Sequence, residues 1–226
     1  DNNSYLNFYK DAPKLNLLFI DYKSFFKSIP IEPSLIIIFS LVKTFFDDFQ
    51  YCLLIYSLIS VTTKFVAINK LSNNVFYSVL LLFVSSFLLQ DMTQIRAAAA
   101  VGFLLLAISE IPTRNMFRYY FFVLFAVLFH YSSIVFIPFY FFSTKSIASI
   151  KYLLVILVPF VLAIVGFEAT ALLNQFDLGI ISEKIKHYSA YNKDMGLVVN
   201  KFSFNVMVQL ITSIFFLILM KFNNTD

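Results

Sequence analysis

Residues 115–142 read NMFRYYFFVLFAVLFHYSSIVFIPFYFF, and how this block crosses a membrane decides the fold. Apart from Asn115 and Arg118 at its start and His130, Ser132 and Ser133 at its middle, it is apolar and aromatic. As one helix it would rise ~42 Å, well beyond the ~30 Å of a hydrocarbon layer. A single crossing would also send Lys145 and Lys151 to the face opposite Arg114 and Arg118. Divided near His130-Tyr131-Ser132-Ser133, the block becomes two short membrane helices and those lysines return to the arginine side. Lys and Arg gather on cytoplasmic loops, so the charges favour the division.

Further apolar blocks lie at roughly 49–68, 74–90, 94–110, 151–173 and 203–221. A shorter run, Leu35 to Phe46, contains Lys43 and is closed by Asp47-Asp48, which read as solvated cap residues. It falls short of the ~20 residues of an upright crossing, so a tilted or re-entrant helix is expected. Lys64 and Lys70 are read as following the 49–68 helix, Arg114 and Arg118 as lying between the 94–110 and 115–142 blocks, and Lys221 as following the last. With these inside, residues 1–33, the turn at 90–94 and the polar stretch 174–202 are external, and 1–30 reads as a loop segment. The prediction is an all-α, polytopic membrane helical bundle with short re-entrant or broken helices and external loops. It forms a single membrane domain over 1–226 and is read as part of a longer chain.

Composition agrees. The 226 residues are 60% hydrophobic and 13% charged, with a mean hydropathy of +0.81. A soluble domain carries about a quarter charged residues to face water. The net charge of +4 is dispersed, which gives no footprint for nucleic acid. One cysteine, Cys52, allows neither an internal disulfide nor a thiolate metal site. Of 17 basic residues only Arg96, Arg114 and Arg118 are arginine. In a composition so biased toward lysine, those three positions carry information.

The topology gathers the unusual polar residues on the external face: Glu32, Asp91, Gln94, Arg96, His130, His187 and Tyr188. Arg96 opens a helix of very small side chains, Ala97 to Ala100 and Gly102, which lets neighbouring helices approach closely. Such an arginine is either a fork for phosphate oxygens, or a side chain reaching the headgroups or paired with Asp91. His130 is either a proton-transfer or hydroxyl-positioning group, or a helix-end histidine bonded to backbone. A helix break there favours the first, since irregular backbone at membrane depth needs a cavity or protein cover. Glu32 is either a general base or a charge at a helix N-terminus shaped by Pro33 and Ser34. Tyr5 and Tyr9 either stack on sugars or sit among headgroups.

The chain has no P-loop, dinucleotide fingerprint, HExxH, Asp-x-Asp or serine-nucleophile elbow. Chemistry here is therefore expected to need no metal and no cofactor, and to face outward.

Two strings suggest a family. Asp91-Met-Thr-Gln-Ile-Arg96-Ala-Ala-Ala-Ala is followed about thirty residues later by Ala126-Val-Leu-Phe-His130-Tyr-Ser-Ser, with Arg114 and Arg118 between. This resembles the EpsG-like family of Wzy-type polymerases of exopolysaccharide, capsule and O-antigen, with its Q-x-R-x-x-x-A and A-x-x-x-H-x-S elements. Asp1-Asn-Asn-Ser-Tyr5-Leu-Asn-Phe-Tyr9 is similar to the family's D-x-x-x-Y-x-x-x-Y segment. Glu32-Pro-Ser is similar to its Glu at a helix start, with Pro-Ser where glycine is common. Residues 184–191 match the usual outer loop loosely. The resemblance covers nearly the whole chain.

It implies a multi-pass protein of the bacterial inner (cytoplasmic) membrane that polymerises oligosaccharide repeat units carried on undecaprenyl pyrophosphate. Besides that substrate and membrane lipid, the implied partners are flippase and chain-length regulator proteins. Catalysis would rest on Arg96 for the pyrophosphate and His130 for the acceptor hydroxyl, with Glu32 in reserve as base. Asp1, Tyr5, Tyr9, Asp91, Gln94, Ser132, His187 and Tyr188 would bind substrate. The rival readings are a lipid-linked oligosaccharide flippase, a non-catalytic subunit of an assembly complex, and a polysaccharide acyltransferase. A flippase would spread polar residues along its path, whereas here they gather at one face and Glu168 is the exception.

Overall fold

The computed structural model describes residues 2–15, 32–83 and 93–141, with isolated helical positions between 157 and 218. The chain forms two compact units, Asp1–Thr144 and Lys145–Asp226. In the second, Thr212 caps its own turn by donating to the Val208 carbonyl (2.8 Å), and Ile211 and Phe215 are exposed. The first unit contains the residues of interest. It has helices α1 (Asn2–Asp11), α2 (Pro33–Phe45), α3 (Gln50–Leu71), α4 (Val75–Leu82), α5 (Ile95–Ser109) and α6 (Met116–Phe129). A 3-10 helix, Tyr131–Phe141, follows α6. All described secondary structure is helical, and with its apolar helices the chain is a helical membrane bundle.

Its 22 residues make α3 ~33 Å long, and among the described helices it alone is long and apolar enough to cross a membrane. Ser57, Thr62 and Thr63 turn their hydroxyls back onto the carbonyls of Leu53, Leu58 and Ile59, so each is satisfied within the helix. α5 runs beside α3 in the same direction. Gly102 meets Ser60 and Thr63 midway, and Lys70 at the far end of α3 pairs with Glu110 just past α5 (3.0 Å).

The Gly102 contact tolerates no side chain. A Cβ there would lie 2.0 Å from Thr63 Oγ1 and 2.9 Å from Thr63 Cβ, so α3 and α5 would have to separate. Gly102→Ala is therefore expected to destabilise the bundle by about 1–3 kcal/mol, the usual cost of overpacking. A lowered thermal midpoint of the detergent-purified protein checks it; an unchanged midpoint would mean the two helices part freely.

After Glu110 the chain reverses through Arg114, whose φ is 54°, and Asn115 caps α6 by accepting from Arg118 N (3.1 Å). α6 returns along α5, with Phe129 against Phe103 (centroids 5.4 Å) and Tyr56 (5.7 Å). At His130 the backbone becomes extended (φ −153°, ψ 113°) and α6 stops. The 3-10 helix then runs back toward Arg114: Tyr140 Oη donates to Arg114 O (2.8 Å) and Arg114 Nη1 to Tyr140 O (2.9 Å). Eleven residues at the 3-10 rise cover ~22 Å, about the ~21 Å of α6. So long a 3-10 run is uncommon. Here Pro138 removes a donor from its interior, and Tyr119 Oη and Tyr120 Oη donate to the carbonyls of Phe136 (2.6 Å) and Ile137 (3.4 Å). The 115–142 block is thus divided at His130, as its flanking charges require.

Two expectations change. Residues 2–11 form a helix rather than a loop, because Tyr5, Tyr9 and Ala12 are buried and the helix end is capped from α2. Lys64 does not follow its helix: α3 continues to Leu71, and Lys64 lies inside it, 2% exposed. Only Lys70, 44% exposed along its side chain, ends the helix as a charge at the surface.

A buried carboxylate between Arg96 and His130

Three separate elements meet at one end of the first unit. Glu32 precedes α2 as its N-cap, with Pro33 at the first helical position, where a missing N–H costs nothing. Its side chain makes no cap hydrogen bond and is fully buried. Instead Oε2 accepts from Arg96 Nη1, in the first turn of α5, and Oε1 lies 3.5 Å from Nδ1 of His130, where α6 breaks. A buried carboxylate is strongly unfavourable unless charged or hydrogen-bonding partners compensate it, and the guanidinium does so here. Of the two sequence readings of Glu32, the helix N-terminal position is the one observed, and the same residue lies beside Arg96 and His130.

Tyr5 of α1 completes the arrangement. Arg96 Nε donates to its hydroxyl (3.4 Å), and the guanidinium carbon stands 5.3 Å from the ring centroid. Planarity and delocalised charge suit arginine to both contacts at once. The Arg96 side chain keeps 22% of its surface exposed and that of His130 38%. Because Nδ1 faces Glu32, Nε2 is the ring nitrogen turned away from the carboxylate. Nδ1 is buried and has no hydrogen-bond partner among the described residues, so the 3.5 Å approach is electrostatic rather than a formed hydrogen bond.

Beneath the cluster, the Ser34 and Tyr56 hydroxyls hydrogen-bond at 3.3 Å in a fully buried setting and tie the first turn of α2 to α3. Ser34 reads in the sequence only as part of the helix start, and Tyr56 is passed over, since a tyrosine in an apolar run looks like packing. The signal available was Ser34's place two residues after Glu32.

The other expected site residues divide clearly. Gln94 is the exposed N-cap of α5 and Ser132 is exposed at the start of the 3-10 helix, both within two residues of the cluster in sequence. Tyr9 turns inward, edge-on to Phe39 (5.8 Å) and near Phe49 (5.7 Å). Burial, with Cys52, Asp47 and Asp48 nearby, raises its phenol above the ordinary value. Asp1, Asp91, His187 and Tyr188 lie outside the described residues. No group of three His, Cys, Asp or Glu with metal-binding geometry occurs among the described residues.

Such an arrangement offers an anion a cationic fork, and beside it an imidazole whose Nδ1 edge faces a buried carboxylate. Compared with known proteins, the chain matches one family model, described as the EpsG family, over residues 1–226. No curated protein and no solved structure matches it.

Proposed function

Since the chain belongs to the EpsG family, a family of exopolysaccharide and O-antigen polymerase-like proteins, we propose that it is a polymerase of lipid-linked repeat units. The observation that carries this reading is the placement of one buried carboxylate between a part-exposed arginine and a part-exposed histidine. Polymerisation moves the growing chain from its undecaprenyl pyrophosphate onto a hydroxyl of the next lipid-linked unit. The bond from the anomeric carbon to the pyrophosphate oxygen breaks, and a glycosidic bond forms to the acceptor oxygen. The acceptor loses a proton and the departing pyrophosphate gains charge.

Arg96 meets the charge, because an oriented guanidinium stabilises developing phosphate charge without a metal. His130 accepts the proton at Nε2. Glu32, engaged by Arg96 and sealed from solvent, is poorly placed to act as the base. It holds the imidazole's orientation and compensates its charge once the proton arrives, as a buried carboxylate does in a hydrolytic triad. The Lys70, Arg114 and Arg118 end faces the cytoplasm by its charge, which puts the cluster toward the outer leaflet of the inner membrane in a multi-pass arrangement.

Deleting the gene in the source bacterium tests the reading on a polysaccharide gel. Collapse of a long-chain ladder to single repeat units supports it. Long chains persisting in the deletion strain would refute it. Loss of surface sugar with lipid-linked units building up on the inner leaflet would replace it with a flippase.

A further inference from the structure

We infer that Lys43 is a positioning residue: by capping the C-terminal end of α1 it holds that helix in the register that lays Tyr5 against Arg96. The inference rests on the polymerase reading for its functional consequence, but its structural part stands on contacts remote from the cluster.

α1 has only ten residues, too few for an isolated helix to persist in water, so it depends on what docks it. Its end is held by two consecutive side chains of α2. Lys43 Nζ donates to three carbonyls, those of Tyr9 (3.3 Å), Lys10 (2.6 Å) and Ala12 (2.7 Å). An ammonium has three donors and no acceptor, so these contacts match its capacity. The last carbonyls of a helix have no partner of their own and carry the negative end of its dipole, so a cation there is doubly favoured. The same Nζ stands 5.8 Å from the Tyr9 ring centroid. Next to it, Thr44 Oγ1 accepts from Leu15 N (2.9 Å) and fixes the chain leaving the helix.

α2 therefore carries Glu32 before its first turn and Lys43 in its last, while α1 carries Tyr5 and the capped carbonyls. Two helices pinned to each other at one end fix their register at the other. At that other end, Tyr5 touches the guanidinium that Glu32 also holds. This accounts for a lysine in an otherwise apolar helix.

The chain's one cysteine supplies the readout. Cys52 is fully buried and belongs to the same apolar cluster as Tyr9 and Ala12. Lifting α1 would uncover it. The test compares wild type, Lys43→Met and Lys43→Arg in membranes of the deletion strain. It measures Cys52 labelling by a membrane-impermeant maleimide, and polymerisation against the concentration of lipid-linked repeat unit. Methionine keeps the apolar stem and removes the donors.

The expected result is Cys52 labelling at least tenfold faster in Lys43→Met, with the half-saturating substrate concentration raised about fivefold and a smaller fall in maximal rate, since Arg96 is intact. Lys43→Arg, which can still donate to the carbonyls, should behave as wild type in both. If Lys43→Met does not accumulate, Lys43→Leu, which also has no donor, is read the same way. Cys52 remaining protected would overturn the inference, and so would labelling that rises while half-saturation stays at wild type. Failure of the polymerase reading shows separately, as long chains in the deletion strain, and leaves the thiol result to decide the docking of α1.

Discussion

Arg96→Ala is expected to abolish long-chain polysaccharide and at the same time lower the amount of protein in the membrane. Both effects come from one contact. Glu32 is fully buried and its carboxylate is held by Arg96, so removing the guanidinium takes away the cation that offsets a buried charge. Breaking a buried pair from one side typically costs about 3–5 kcal/mol. The two consequences separate in the double variant Glu32→Gln/Arg96→Ala, where the stranded group is neutral. Its abundance should return toward wild type while polymerisation stays absent. Arg96→Lys keeps a charge but loses the planar fork, and should leave only short chains. Ladders on a gel, normalised to protein by immunoblot, read all three. An Arg96→Ala protein that accumulates and polymerises normally would remove the arginine from the mechanism.

His130→Ala is expected to give the opposite pairing of effects: normal abundance and no long chains. The imidazole is part-exposed and makes no formed hydrogen bond through Nδ1, so little stability rests on it. A general base contributes roughly 10²–10⁴-fold to rate, and a loss of that size would leave only single repeat units in a growing cell. His130→Asn can still offer Glu32 a donor but carries no base, so it should be as inactive as alanine. Activity retained in the asparagine variant would reduce His130 to a spacer at the end of α6.

Much of this arrangement was legible in the chain. The flanking charges of 115–142 called for a break, which the polar His130-Tyr131-Ser132-Ser133 stretch located, because a membrane sorts Lys and Arg between its faces whatever the local helix propensity. The same rule placed Glu32, Arg96 and His130 on one face. It could not pair Arg96 with Glu32, 64 residues away, rather than with the neighbouring Asp91. That pairing depends on how α2 docks against α3 and α6, which is set by side-chain packing and leaves no local periodicity. α1 was invisible for a related reason: its polar sequence does not stabilise a helix, and its cap comes from Lys43 in another element. Lys64 misled because the charge rule assumes that a lysine lies outside the hydrocarbon, whereas this one is packed within α3.

The unequal lengths of the helices bear on the lipid around them. α3 rises ~33 Å, but α5 and α6, with 15 and 14 residues, rise only ~22 and ~21 Å, some 8 Å less than a typical hydrocarbon layer. Tyr56, which packs beneath the cluster, is already six residues, ~9 Å, below the outer end of α3. In the membrane orientation proposed above, the α5–α6 hairpin is a short peg, and acyl chains beside it must shorten or tilt to meet its polar crown. A bilayer pinched in this way forms a dimple that brings the headgroup plane down to Arg96 and His130. On the polymerase reading, a carrier whose pyrophosphate travels in that plane can then arrive by sliding sideways, with its long isoprenoid tail never leaving oil.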